Sequence, residues 1–321
     1  MKKILLLESE NYPLSAISKL EQFFDVVIKE FNNQSQFDIY LKSNSFFAIF
    51  TKLGLYIGEQ QISTQSELKY IVTATTGLNH IDLKYSSETN IKIISLKGEF
   101  GFLRNIKSTA EHTWMLILAI SRNLYPAISD VKINSRWNRR LYLADELNEK
   151  TIGIIGYGRL GKIIAEYAQI FGMNILAYDN DDTTFSNTDV LYKTSLNYLL
   201  TNADYIVLLI SWNEKNMKFF NSEMFNVLKK GAYFINTSRG ELVDEKALLD
   251  SLKSNKLSGA AIDVLDGDSS WGSESHITND LLKYSSTHHN LLITPHMGGY
   301  GRTSIYKTRE FIINLFLKEN E

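Results

Sequence analysis

The stretch Gly156-Tyr157-Gly158-Arg159-Leu160-Gly161 lies between an apolar run, Thr151–Ile155, and residues 160–171, where Leu160, Ile163, Ile164, Tyr167, Ala168 and Phe171 recur at intervals of three and four. The run reads as a buried strand and the following residues as an amphipathic helix, so the glycines occupy a strand-to-helix turn. A second strand, Asn174–Tyr178, leads into Asp179, 18 positions past Gly161. That context turns a weak three-glycine string into a dinucleotide-binding fingerprint. Gly156 permits the tight turn, Gly158 lets a pyrophosphate approach the backbone, and Gly161 lets the helix pack closely on the strand. Tyr157, Arg159 and Leu160 complete the turn, whose free amides and helix dipole attract phosphate. Asp179 would accept hydrogen bonds from the adenosine ribose hydroxyls and repel a 2′-phosphate, which favours NAD over NADP. Arg159 has two readings, a phosphate contact and a solvated side chain.

Further along, runs at 205–210, Ala232–Asn236, 259–264 and 291–294 are short, apolar and uninterrupted, as strands buried on both faces of a parallel sheet are. Residues 244–252, with Ala247, Leu248 and Leu252 on one side, supply a crossover helix. Upstream, runs at 3–7, Phe24–Ile28, 46–50, 69–74 and 91–95 alternate with polar or helical segments in the same manner. The pattern predicts an α/β chain of two Rossmann-like, doubly wound parallel-sheet domains, and 321 residues suit two domains. Residues 110–124 are apolar all round. Such a helix is buried in a domain junction, against a second subunit, or in an ordinary core. Residues 127–150, with Trp137, Arg139 and Arg140, read as a connecting loop.

Apolar residues make up 44% of the chain and charged residues 22%, with only three prolines, which is ordinary globular composition. A net charge of −2 is too balanced for a protein built to grip nucleic acid or an anionic membrane. With no cysteine, a disulfide framework, a zinc–thiolate site and a cysteine nucleophile are excluded. The histidines and carboxylates show no metal-ligand spacing such as HExxH, so no metal is expected. The longest apolar block, 114–120, falls far short of the roughly 20 residues of a spanning helix. The opening Met-Lys-Lys-Ile-Leu-Leu-Leu-Glu meets an acid too early for a secretory signal. A cytoplasmic protein without membrane or nucleic-acid partners is the expectation.

In doubly wound sheets, ligands lie beyond the carboxyl ends of the strands. Past Ala232–Asn236 come Thr237, Ser238, Arg239 and Gly240; past 259–262 come Asp263, Asp266 and Asp268; past 291–294 come Pro295 and His296. An arginine, a carboxylate and a histidine therefore follow three strand ends. The trio suits hydride transfer on a 2-oxo acid. The guanidinium fork binds a carboxylate or polarises a carbonyl. The imidazole gives and takes the alkoxide proton, and a neighbouring carboxylate orients it and favours its charged form.

These strings resemble the D-isomer-specific 2-hydroxyacid dehydrogenases, the family of D-lactate, glycerate and 3-phosphoglycerate dehydrogenases. The resemblance is carried by Gly-Tyr-Gly-Arg-Leu-Gly at 156–161, Ile-Asn-Thr-Ser-Arg-Gly-Glu-Leu-Val-Asp at 235–244, Gly-Ala-Ala-Ile-Asp-Val at 259–264 and Thr-Pro-His at 294–296. Gly-Leu-Asn-His-Ile-Asp at 77–82 and Thr-Ala-Glu-His at 109–112 extend it over most of the chain. It implies that Arg239 binds the substrate carboxylate and carbonyl oxygen, that His296 is the acid/base, and that amides around Thr76 and Gly77 hold the carboxylate. It also implies an Asp263 near the nicotinamide carboxamide and cofactor contacts at Thr109, Thr237 and Ser238. A substrate domain of residues 1–104 plus 297–321 would be split by an inserted NAD-binding domain, 105–296. Members are usually homodimers, joined partly through the helix at 110–124.

This sequence departs from the family in two places. The family's histidine partner is a glutamate five residues after the aspartate matched by Asp263; here that position is Asp268, one methylene shorter, with Asp266 and Glu274 as alternatives. Leu209-Ile210-Ser211 stands where many members carry a histidine and a proline. The connection 96–108 is longer than usual, and its Lys97, Glu99, Phe100, Phe102 and Arg104 either recognise a larger substrate or form a solvated loop. His80 and His112 read as hydrogen-bonded structural histidines. An NAD-loaded dimeric scaffold with little turnover, like the C-terminal-binding corepressors, is the rival reading; the intact arginine and histidine weigh against it. Formate dehydrogenases replace the acid with an amide, which this chain does not.

Overall fold

The computed structural model describes residues 1–185, 192–268 and 278–320. These fall into two compact units: one of residues 1–106, 267–268 and 301–320, the other of 107–185, 192–266 and 278–300.

In the first unit, β1 (Lys2–Leu6), β2 (Phe24–Ile28), β3 (Ala48–Phe50), β4 (Tyr70–Thr73) and β5 (Lys92–Ser95) form a sheet in the order β2-β1-β3-β4-β5. Every pairing is parallel, with Ile4 opposite Ala48, Ile49 opposite Ile71 and Val72 opposite Ile94. Side chains alternate across the pleat. Ile4, Leu6, Phe50 and Val72 enter one core, while Leu5, Leu7, Ile49 and Ile71 enter the other with Phe37 and Leu41. Both faces are therefore dry, which explains why these strands read as unbroken apolar runs. The helix Arg302–Glu319 returns to this unit and plants Phe316 among Phe24, Phe50 and Tyr70, at ring-centroid distances of 5.2, 5.1 and 5.5 Å.

The second unit holds β6 (Thr151–Ile155), β7 (Asn174–Tyr178), β8 (Tyr192–Lys193), β9 (Tyr205–Leu208), β10 (Ala232–Asn236), β11 (Leu257–Ile262) and β12 (Leu291–Ile293), in the order β12-β11-β10-β9-β6-β7-β8. All pairings are again parallel. The winding reverses between β6 and β9, which creates the switch point where doubly wound sheets bind ligands. The predicted fold class is thus the observed one. The two-residue β8 is too short to leave a sequence signal.

The segment after residue 107 differs from expectation. The helix Ser108–Ser121 stops short of 124, and Asn123, at φ 50° in the left-handed region, breaks the chain direction. A second helix, Leu124–Asn134, and a short 3-10 turn, Arg139–Tyr142, then occupy much of what reads in the sequence as a loop. Pro126 sits in the first turn, where its missing N–H costs nothing. Leu124, Ile128 and Val131 do follow helical spacing, but no residue of this helix is buried. Within the 96–108 connection, Phe102 stacks on Phe311 with centroids 3.9 Å apart, so it is a packing residue, whereas Phe100 is exposed.

Truncating Phe316 to alanine removes a ring at 0% exposure with three aromatic partners. Urea unfolding should show a loss of about 3–5 kcal/mol.

Candidate active site

At the carboxyl end of β6 the three glycines do three different jobs. Gly156 has φ +100°, its amide donates to the Tyr178 carbonyl at 2.8 Å, and a Cβ there would lie 2.7 Å from the Leu209 carbonyl carbon. A Cβ at Gly161 would come within 2.3 Å of the Gly156 carbonyl oxygen, so only glycine lets the helix Arg159–Ile170 sit this close to the strand. A Cβ at Gly158 would meet nothing within 4 Å. That open ground lies at the N-terminus of a 12-residue helix whose cap residue offers no side-chain acceptor, leaving amides for an anion. Asp179, half-buried at the end of β7, accepts from the Tyr157 amide at 2.7 Å and from the Asp181 amide at 3.0 Å. Tyr157 is buried and stacked on Phe185 with centroids 4.9 Å apart. Arg159 is half-buried, and burial pulls its guanidinium pKa down from the ordinary value. Leu160 is likewise half-buried at the helix start.

Three adjacent parallel strands, β10, β11 and β12, end on this same edge and lead into Arg239, Asp263 and His296. Asn236 shapes the first loop: its Oδ1 accepts from the Ser238 amide and hydroxyl at 3.0 and 2.7 Å, and its Nδ2 donates to the Arg239 carbonyl at 3.0 Å. Arg239 Nη1 donates to the Ser238 carbonyl at 2.7 Å, which leaves the fork's remaining donors for other partners. Thr237 is buried and its hydroxyl pairs with that of Thr113 at 2.7 Å; Thr113 in turn donates to the Thr109 carbonyl. Thr109 itself is half-buried.

Asp263 is 2% exposed and is bound from several sides. Its carboxylate accepts from the Met297 and Gly298 amides at 3.0 and 2.7 Å, from the Thr294 hydroxyl, and from His112 Nε2 at 3.1 Å. Burial pushes this carboxyl up, but the hydrogen bonds from His112, Thr294 and Gly298 outweigh it and hold the group below the usual carboxylate value. The same residue's carbonyl accepts from the His296 amide at 2.8 Å. His296 is half-buried at φ +52°. His112 is hydrogen-bonded, as the sequence led us to expect, to Thr294 and Asp263; His80 is too, buried with Nε2 3.2 Å from the Thr73 hydroxyl.

In the first unit, the loop after β4 is drawn tight by Thr75, whose hydroxyl donates to the Gly77 carbonyl at 2.7 Å, and Thr76 is left exposed. Asp268 is half-buried and Asp266 exposed; Glu274 lies outside the described residues. Sequence reasoning overlooked Asn236, Thr113 and Thr294 as site-shaping residues. Only Asn236, two residues before Ser238, carries a local signal, that of an Asx turn.

The model of the D-isomer specific 2-hydroxyacid dehydrogenase NAD binding domain matches residues 114–298, more than half the chain. A Staphylococcus aureus (strain bovine RF122 / ET3-1) protein named "Putative 2-hydroxyacid dehydrogenase" is 30% identical over 290 residues, covering 89% of this chain and 87% of its own. This chain belongs to the D-isomer specific 2-hydroxyacid dehydrogenase family. Its backbone is also similar to the D-lactate dehydrogenase of Aquifex aeolicus, solved with NAD and lactic acid, at TM-score 0.80 and 27% identity over 98% of this chain and 96% of that one. The fold is also that of a Polaromonas protein named "putative D-isomer specific 2-hydroxyacid dehydrogenase, NAD-binding", at TM-score 0.84 and 24% identity over 100% and 97% of the two chains. The 2-hydroxyacid dehydrogenases of this family are NAD-dependent oxidoreductases, and the residues present fit that cofactor: an open approach at Gly158, the N-terminus of a helix with no side-chain cap, and a carboxylate at the end of β7. Among the described residues no helix is long and apolar enough to cross a membrane.

Asp179 should set the choice of cofactor. In Asp179→Ala, fluorescence titration should show NADH affinity falling about tenfold, roughly one lost charge-assisted hydrogen bond, while NADPH affinity holds or rises.

Proposed function

We propose that the chain reduces a small 2-oxo acid to its D-2-hydroxy acid, or runs the reverse, with His296 as acid/base and Arg239 as the carboxylate- and carbonyl-binding group. The observation carrying this reading is that three neighbouring parallel strands end in Arg239, Asp263 and His296 on the edge that also holds the glycine turn. Held at the glycine turn and Asp179, the reduced cofactor would supply the hydride for reduction at C2 of the substrate. Arg239 draws charge onto the carbonyl oxygen, which favours attack at C2 and stabilises the developing alkoxide. His296, as imidazolium, donates its proton to that oxygen; in the oxidation it takes the proton back. Amides at Thr76 and Gly77 bind the substrate carboxylate. Asp268, five residues past Asp263, orients the imidazole and fixes its tautomer, as the triad carboxylate does in serine hydrolases. Thr109, Thr237, Ser238 and Asp263 serve the cofactor side, and the first unit is the substrate-binding domain. A cytoplasmic setting is part of the same proposal.

We also propose a homodimer. The helix Ser108–Ser121 leaves Met115 44% exposed, beside a groove lined by Trp114, Leu118, Tyr167, Ile170 and Phe171. The neighbouring helix Leu124–Asn134 exposes Leu124, Tyr125, Ile128 and Val131. An apolar groove with exposed apolar side chains on the next helix is the kind of surface that marks association, and a second copy would meet it with the same face.

NADH oxidation followed by absorbance over a panel of 2-oxo acids tests the chemistry. Turnover should drop by on the order of 100-fold or more in His296→Ala and in Arg239→Ala; undiminished turnover in either overturns its assigned role. Strong NADH binding with no turnover on any 2-oxo acid would favour the scaffold reading instead. For the dimer, Met115→Glu and Ile128→Glu should each shift light-scattering mass toward the monomer.

A further inference from the structure

His296 is held in a backbone conformation that a residue with a Cβ rarely adopts, φ +52°. Such a conformation persists only where the surroundings over-determine it. Here Asp263 supplies several of the restraints, beside the Thr294 carbonyl, which also takes the His296 amide at 3.0 Å, and the Ser108 hydroxyl, which donates to the Gly298 carbonyl at 2.8 Å. Asp263 takes the His296 amide on its carbonyl at 2.8 Å, and on its carboxylate it takes the next two amides, Met297 and Gly298, together with the Thr294 hydroxyl two residues before. The chain on both sides of His296 is therefore tied to a single buried carboxylate.

That carboxylate has one further donor, which comes from another element. His112, 8% exposed on the helix Ser108–Ser121, places Nε2 3.1 Å from Asp263 Oδ1 and 2.9 Å from Thr294 Oγ1. The Thr294 hydroxyl has one proton, which it gives to Asp263. It must therefore accept from His112, so Nε2 of His112 carries a proton shared between the hydroxyl and the carboxylate. Proton direction along His112, Thr294 and Asp263 is fixed without appeal to any ligand.

We infer that His112 is a positioning residue for hydride-transfer chemistry: its Nε2–H anchors Asp263 and Thr294, and through them sets the left-handed backbone that aims His296. The inference rests on the reading of His296 as the acid/base. His112 touches neither substrate nor reacting atoms in this role. Without its proton, the buried carboxylate loses a donor and the threonine hydroxyl loses the partner that fixes its direction, so the loop 294–298 keeps its amide bonds but not a single geometry.

The test uses full-length His112→Phe, which keeps a ring of similar shape without the donor, and His112→Gln, whose amide restores an N–H at the position of Nε2. Turnover is expressed per NADH-binding site, counted by fluorescence titration, so a smaller folded fraction does not register. In His112→Phe, kcat should fall by on the order of 10- to 100-fold, as misplacing a proton-transfer group does, while substrate KM changes about twofold or less and NADH Kd, which Asp263 also serves, changes by clearly less than kcat. His112→Gln should recover most of the lost kcat. A purely structural role would instead lower the melting temperature and the number of NADH sites while leaving kcat per site intact, and that result overturns the inference. Equal losses in the Phe and Gln variants also overturn it, since the hydrogen bond would then not be the cause. His296→Gln, measured alongside, separates the two readings: if it is inactive and His112→Phe is not impaired, only the positioning role fails; if it retains turnover, the acid/base reading and the positioning role fall together.

Discussion

Every strand of both sheets runs parallel to its neighbours. Parallel strands cannot be joined by hairpins, so each is reached by a crossover over one face, and all carboxyl ends collect on one edge. This directional constraint produces the site. Groups separated by 140 residues of chain, the glycine turn at 156 and the histidine at 296, share an edge because the sheet allows no other arrangement. The dryness of both faces follows from the same constraint: crossovers cover the sheet on each side, and the strands become unbroken runs of Ile, Val, Leu and Ala.

Against that rigid frame, the loops are shaped by short polar side chains. Asn236 bends the chain into Arg239, Thr75 draws in Gly77, and Asp263 gathers the residues around His296. Each is a local hydrogen-bond device at the end of a strand, where the ladder no longer fixes the backbone. Asp263 is the costliest of them, since an ionised group at 2% exposure must be met by donors on several sides. Its carboxyl is held below the usual carboxylate value because those donors more than offset the burial.

The fold was readable because its signals are periodic. Unbroken apolar runs, the stripe from Leu160 to Phe171 and the glycine turn each state their structure within a dozen residues. The residues of the trio were readable for the same reason, since strand ends can be counted off. Segments whose partners lie elsewhere were not readable. The spacing of Leu124, Ile128 and Val131 is helical, yet polar neighbours and the lack of any buried residue disguised it as a loop. Phe102 read as either a ligand contact or part of a solvated loop, because its partner Phe311 lies more than 200 positions away. Thr113 and Thr294 carry no local sign of the long-range hydrogen bonds they make.

The helix Leu124–Asn134 raises a separate point. Eleven residues are too few to stay helical in water on intrinsic propensity, and no residue of this helix is buried, although it packs on the helix Ser108–Ser121 and Tyr125 lies against His289. In the proposed dimer, part of its order would come from the second copy that covers it. Far-UV ellipticity would accordingly depend on protein concentration, and on dilution these turns would fray before either sheet loosened.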